Sequence, residues 1–173
     1  MKGLAPLACL CLLSSAVYAY EPEPMVYVGA SYSQLDYSEA DVDLDFGVVS
    51  GKFGALVNEY LALEVRYGVG FEDDEIYGVD VSISRLMGAY IRLGFPLADK
   101  VYPYFLVGRS KGELELKVAG FSFEEEDSDT SYGVGANFYI PDSEVQLSVE
   151  YLHLFDTKNV EIEGLAVGLQ LQY

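Results

Sequence analysis

His153 is the single histidine of this chain, and Cys9 and Cys11 are its only thiols. A histidine general base needs its nucleophile within hydrogen-bond reach. No serine follows His153 closely, and Phe155 stands two positions on. Alternation along its segment puts His153 with Val149 and Tyr151 on an outward face, which implies a boundary or headgroup contact rather than catalysis. Asp41-Val42-Asp43-Leu44-Asp45 has the acid spacing of a calcium loop. Such a loop requires Gly at its sixth position and Glu at its twelfth. Those positions hold Phe46 and Lys52, so strand alternation explains the acids better. Glu124-Glu125-Glu126-Asp127 is a charge run of the kind that is ordinarily solvated; it offers loop contacts to cations without defining a metal site. One charged set carries more information. Glu64, Arg66, Arg92, Arg109, Lys111, Glu113 and Glu150 are all expected on the face opposite large apolar residues. Enclosed charges are costly alone and compensate one another when paired.

The elements that would position these residues are strands. In 173 residues there are 17 Gly, 15 Tyr and no Trp, with 51% hydrophobic and 22% charged residues. That excludes both a disordered chain and a helical membrane bundle. With 28 acidic against 10 basic residues and a net charge of −18, nucleic acid is excluded as a partner, because phosphate binding needs clustered Lys and Arg. Residues 1–19 read as a cleavable signal peptide: Lys2, an apolar run from Leu4 to Leu13, and small residues at Val17 and Ala19. The mature chain, 20–173, then has no cysteine, so no disulfide and no thiol chemistry.

Period-two alternation recurs along that mature chain. Leu165, Val167, Leu169, Leu171 and Tyr173 alternate with small and polar residues, as do Val145 to Tyr151, Leu61 to Val69, Tyr132 to Phe138 and Val26 to Tyr32. A strand beginning near Val101, with Leu114, Leu116 and Val118 on its apolar face, is joined by Val79 to Phe95 and Val42 to Phe53, the last with an ambiguous register at Val48-Val49. These make eight. Short turns at Asn58-Glu59, Leu97-Ala98-Asp99 and Pro141-Asp142-Ser143 alternate with longer acidic connections, expected as loops over 35–41, 72–78, 119–129 and 156–163. That pattern, with apolar residues outward and Gly, Ser and charge inward, predicts an all-β, eight-stranded antiparallel up-and-down transmembrane barrel.

The chain resembles the small eight-stranded outer-membrane β-barrels of the OmpA/OmpX type, grouped with porin-family barrel proteins, over essentially all of 20–173. The most specific match is Gly168-Leu169-Gln170-Leu171-Gln172-Tyr173, similar to that family's C-terminal assembly signal, with Gly168, Leu171 and Tyr173 in its key positions. Tyr27-Val28-Gly29-Ala30-Ser31-Tyr32 and Leu61-Ala62-Leu63-Glu64-Val65-Arg66-Tyr67 resemble strands of the family, and Pro103-Tyr104 resembles its residues after a periplasmic turn. The resemblance implies export to the periplasm, handling by the barrel-assembly machinery, and residence in the bacterial outer membrane. Contact with lipids and lipopolysaccharide and a monomeric state are implied with it. Lipid A deacylases of the eight-stranded class pair a His with a Ser two residues on; Phe155 occupies that place, which disfavours a lipid A-modifying enzyme.

The function expected is therefore non-enzymatic and needs no cofactor. The lumen of an eight-stranded barrel is just wide enough for side chains to fill. A structural or surface-interaction protein with a plugged lumen and acidic loops is the leading expectation, and a narrow low-conductance channel is the alternative.

Overall fold

The computed structural model describes residues 25–39, 42–72, 74–76, 79–97, 100–118, 121–157 and 160–173. The proposed signal peptide lies outside these residues. Nine strand segments are β1 (Val26–Glu39), β2 (Val42–Leu56), β3 (Leu61–Glu72), β4 (Asp74–Ile76), β5 (Val79–Gly94), β6 (Val101–Val118), β7 (Phe121–Tyr139), β8 (Val145–Thr157) and β9 (Val160–Gln172). They form one sheet in the order β3-β2-β1-β9-β8-β7-β6-β5-β4, and β3 also pairs with β5. That last pairing closes the sheet into an antiparallel barrel of eight staves, with the short β4 extending the β3 stave along the start of β5. Closure leaves no long sheet edge with unpaired backbone groups. The seam between the termini is tight: the Val26 amide donates to the Tyr173 carbonyl at 3.1 Å, and the Tyr173 amide returns the bond at 2.9 Å.

Three short turns lie at the end that carries both termini. Asn58 shapes the first, its Oδ1 accepting from the amides of Tyr60 and Leu61 at 2.8 and 2.9 Å. In the third, Asp142 takes φ 59°, a left-handed conformation that Asp tolerates better than most residues. The far end differs from expectation. β1 runs to Glu39, β7 begins at Phe121, and β8 and β9 continue to Thr157 and from Val160, so most of 35–41, 119–129 and 156–163 is paired strand. Glu124, Glu125 and Glu126 stand in register with Glu115, Leu114 and Glu113. Charge requires solvation of a side chain; it does not forbid the backbone ladder beneath it.

The barrel wall has two zones. Near the termini the outward residues are apolar: Val28, Leu63, Val65, Ile91, Val134, Leu165, Val167 and Leu169 are all exposed. Aromatic residues bound this zone, with Tyr60, Phe95, Phe138 and Tyr173 on the terminal side and Tyr32, Tyr67, Tyr132 and Tyr151 on the other. Beyond the second ring the pattern inverts. Asp36, Asp45, Arg85, Arg109, Glu126 and Glu161 face outward there, while Leu35, Leu44, Phe46, Val48, Ile83, Leu154, Phe155 and Ile162 are buried inside. Two irregularities in pairing, at Ile83/Arg85 and His153/Phe155, help turn apolar side chains inward in this zone. The ambiguity near Val48-Val49 resolves simply: Val48 is buried, Val49 is exposed, and the bulge shifts the β2–β3 register between Gly47 and Val48.

Candidate functional site

The interior of the apolar-walled zone is a charged network. Arg66 of β3 reaches Glu150 of β8 with both terminal nitrogens, Nη1–Oε2 at 2.6 Å and Nη2–Oε1 at 2.9 Å. Its Nε donates to Glu64 Oε1 at 2.5 Å. Glu150 also receives Lys52 Nζ at 3.1 Å and the Tyr104 hydroxyl at 2.5 Å. Glu64 receives the Tyr27 hydroxyl at 2.5 Å and lies 3.7 Å from Arg92 Nη1. Inward alternation on each strand delivers these side chains to one level, and their polar neighbours are Ser148, Gln170 and Tyr90.

Three cations thus face two carboxylates among the described residues. Aromatic faces take up the surplus: Arg92 lies 3.7 Å from the centre of the Tyr104 ring and 5.1 and 5.2 Å from those of Tyr27 and Tyr102. Such contacts strengthen when desolvated. Side chains of Glu64, Glu150 and Lys52 are at most 1% exposed, so no bulk water screens the pairs.

Below the network, at the end with the termini, a recess of about 120 Å³ is lined by Met25, Tyr27, Arg92, Tyr102, Asn137 and Gln170 among others. Above it, the space between Ser31, Ser50, Arg66, Tyr90 and Leu152 is about 20 Å³, room for about one water. Higher still is the apolar cluster built around Leu35, Phe46, Leu154 and Phe155.

Of the seven charged residues expected inside, Glu64, Arg66, Arg92 and Glu150 meet in this network, whereas Arg109, Lys111 and Glu113 face outward. Tyr102, Tyr104, Leu106 and Ser110 are the buried residues of β6, which sets the odd positions on the outer wall. Arg109 donates to Ser128 at 3.0 Å, Lys111 pairs with Glu126 at 2.8 Å, and Arg85 with Glu113 at 2.9 Å. These charges lie past the aromatic ring, where the outer wall meets water and has no reason to be apolar. A pairing of Glu64 with Arg109 is thereby ruled out. Lys52, Tyr27 and Tyr104 belong to the network and escaped the sequence reading; their positions between outward Val28, Phe53 and Phe105 were the available signal.

His153 keeps the outward face but is buried against neighbours, not exposed. Its ring stacks on Tyr132, with centroids 4.7 Å apart at 17°. Nδ1 is 3.2 Å from Glu163 Oε2 and 3.8 Å from Glu161 Oε1. Phe155 is packed in the apolar cluster. Among the other expected residues, Gly168 is buried against the Ala30 carbonyl and Ser31, and Tyr173 is 65% exposed at the barrel rim. Glu126 is held by Lys111, and Asp127 accepts the amide of Ser128 at 2.7 Å.

Past the aromatic ring, acids stand side by side. Asp45, Asp36, Glu163, His153 and Tyr132 are successive cross-strand partners over β2, β1, β9, β8 and β7. Burial, then the hydrogen bond and charge of Asp45 and the charge of Glu163, push the Asp36 carboxyl above its ordinary range. Hydrogen bonds with Tyr151 and His153 hold Glu163 below its own.

A closed barrel of this size with an apolar girdled belt defines an integral outer-membrane protein. Residues 5–172 match the family model described as the outer membrane protein beta-barrel domain, and the chain belongs to that family. Among solved structures it is similar to Ail of Yersinia pestis, with 17% identity, TM-score 0.68, and 88% of this chain and 100% of that chain covered. Neisserial surface protein A gives 18% identity and TM-score 0.71, covering 86% and 97% of the two chains. The N-terminal barrel domain of Pseudomonas aeruginosa OprF gives 12% identity and TM-score 0.63, covering 85% and 97%. No curated protein matches in sequence. The end with the termini is therefore the periplasmic end, and the acidic end faces outward from the cell.

Proposed function

We infer that the protein is a non-enzymatic, non-conducting barrel that reinforces the outer membrane and presents an acidic surface outside it. The observation that carries this reading is the double closure of the lumen, by the Glu64–Arg66–Glu150–Lys52 network and by the apolar cluster above it. An ion crossing would have to break the first and desolvate in the second, so the alternative of a narrow channel is disfavoured. Enzymatic modification of lipid A is disfavoured too: His153 is stacked on Tyr132 with carboxylates beside it, and Phe155 occupies the core.

On this reading residues 1–19 direct export and are removed, and Gly168, Leu171 and Tyr173 are read by the barrel-assembly machinery. The working protein is a monomer whose belt contacts lipid and lipopolysaccharide. Ail has been seen in complex with the heparin analogue sucrose octasulfate; the acid-rich outer end of this chain, with its net charge of −18, is ill suited to such a polyanion. Cation contacts through the run Glu124, Glu125, Glu126 and Asp127 are part of this reading, with Glu126 already paired to Lys111. The test is a deletion strain. Loss of the gene should sensitise cells to detergent and large antibiotics, restored by the wild-type chain, without slowing uptake of small solutes. Slowed uptake with an intact barrier would overturn the reading in favour of a channel.

A further inference from the structure

We propose that His153, Glu161 and Glu163 form a binding site for one divalent transition-metal cation on the outer wall of the barrel, just beyond the aromatic ring. The three side chains offer one imidazole nitrogen and two carboxylate oxygens, all within 4.8 Å of one another. A tetrahedral zinc site, with metal–ligand bonds of about 2.0–2.2 Å, sets its ligand atoms about 3.3–3.6 Å apart. The observed separations from Nδ1, 3.2 Å to Glu163 and 3.8 Å to Glu161, bracket that range.

Two of the three ligands, His153 and Glu163, are held in place independently of any ion, whereas Glu161 is half-exposed. The His153 side chain is 9% exposed, its ring clamped face to face on Tyr132. Tyr151 hydrogen-bonds Glu163 from the same strand as His153. Outer-shell partners of this kind orient ligands and tune affinity. The row next to the site adds a field: Asp36 pairs directly with Glu163, and Asp45 with Asp36, so three carboxylates stand abreast with neither lysine nor arginine among them. Like charges placed directly opposite on neighbouring strands destabilise a sheet, and a cation at one end of the row relieves that repulsion. An imidazole with carboxylates selects zinc-like ions over calcium and magnesium, which favour oxygen-only sets. Three protein ligands leave a fourth position to water.

Isothermal titration of zinc chloride into tag-free, detergent-refolded protein tests the site. Wild type should take up one zinc per chain, with equimolar calcium or magnesium failing to compete. His153→Phe keeps the stacking on Tyr132 and removes the nitrogen; it should weaken zinc at least tenfold, as should Glu161→Gln combined with Glu163→Gln. Glu144→Gln, in the turn between β7 and β8 at the opposite end of the barrel, should change nothing. Heat-modifiable migration verifies folding of every variant, and should His153→Phe fail to refold, the double glutamine variant carries the same test. Zinc binding that is absent, that survives both sets of substitutions, or that calcium abolishes equally would overturn the proposal.

Discussion

Arg66 and Glu150 tie opposite sides of the barrel together. Their strands β3 and β8 are four places apart around a ring of eight, and two hydrogen bonds of 2.6 and 2.9 Å span the lumen between them. Glu150→Gln keeps the shape and removes the charge, leaving Arg66 and Lys52 short of a partner. The expected loss is about 3–5 kcal/mol, as for one partner removed from a dry ion pair, read from the denaturant unfolding midpoint of the refolded barrel. A double-mutant cycle of Glu150→Gln with Arg66→Met should show strong coupling, whereas Glu64→Gln with Arg109→Met should be additive.

Leu169 is 54% exposed on the outer wall, in the middle of an apolar stretch of β9. Leu169→Arg should cost about 2–4 kcal/mol if the residue sits at the bilayer midplane. Unfolding in lipid vesicles measures it, and the same substitution should cost far less in a mild detergent micelle that deforms around the charge.

Tyr173 closes the seam through its backbone and lies at the periplasmic rim through its ring. Deleting it should leave protein in the periplasm and reduce the heat-modifiable band in outer-membrane fractions. Tyr173→Phe, which keeps the aromatic end, should assemble normally. Equal assembly of the deletion would remove Tyr173 from the assembly signal.

The strands were legible from Leu165, Val167 and Leu169 or Leu61, Leu63 and Val65 because lipid demands an apolar residue at every second position. The inversion above the aromatic ring was not, since alternation has the same period whichever face is apolar. Glu113 therefore seemed inward when its strand is anchored by Tyr102, Tyr104 and Leu106. Lys52 was hidden for another reason: it lies within a Gly-rich stretch beside an uncertain register, and only the β2–β3 pairing fixes its face. The face of His153 was readable; its burial between Tyr132 and two glutamates from β9 depends on contacts no local pattern records.

Asp36 and Glu163 make opposite contributions to pH dependence. A carboxyl raised in the folded state stabilises least once it is ionised, so the Asp36 contribution is lost as pH rises through the acid range. The lowered Glu163 contributes above its ordinary range and loses that contribution as pH falls. Asp36→Asn should therefore stabilise the barrel at pH 7 in the presence of chelator, by about 0.2–1 kcal/mol for relief of an opposed like-charged pair, with solvent screening favouring the low end. The gain should vanish below about pH 3, where an ordinary aspartate is largely protonated. Thermal unfolding at the two pH values provides the comparison.

Single-channel recording in planar lipid bilayers tests the closed lumen most directly. The refolded wild-type barrel should insert and show no resolved ion conductance, because the charged tie and the apolar cluster block the path in series. Glu150→Gln should remain silent as well, since Leu35, Phe46, Leu154 and Phe155 still fill the outer half. Steady, reproducible conductance steps from the wild-type protein would contradict the account.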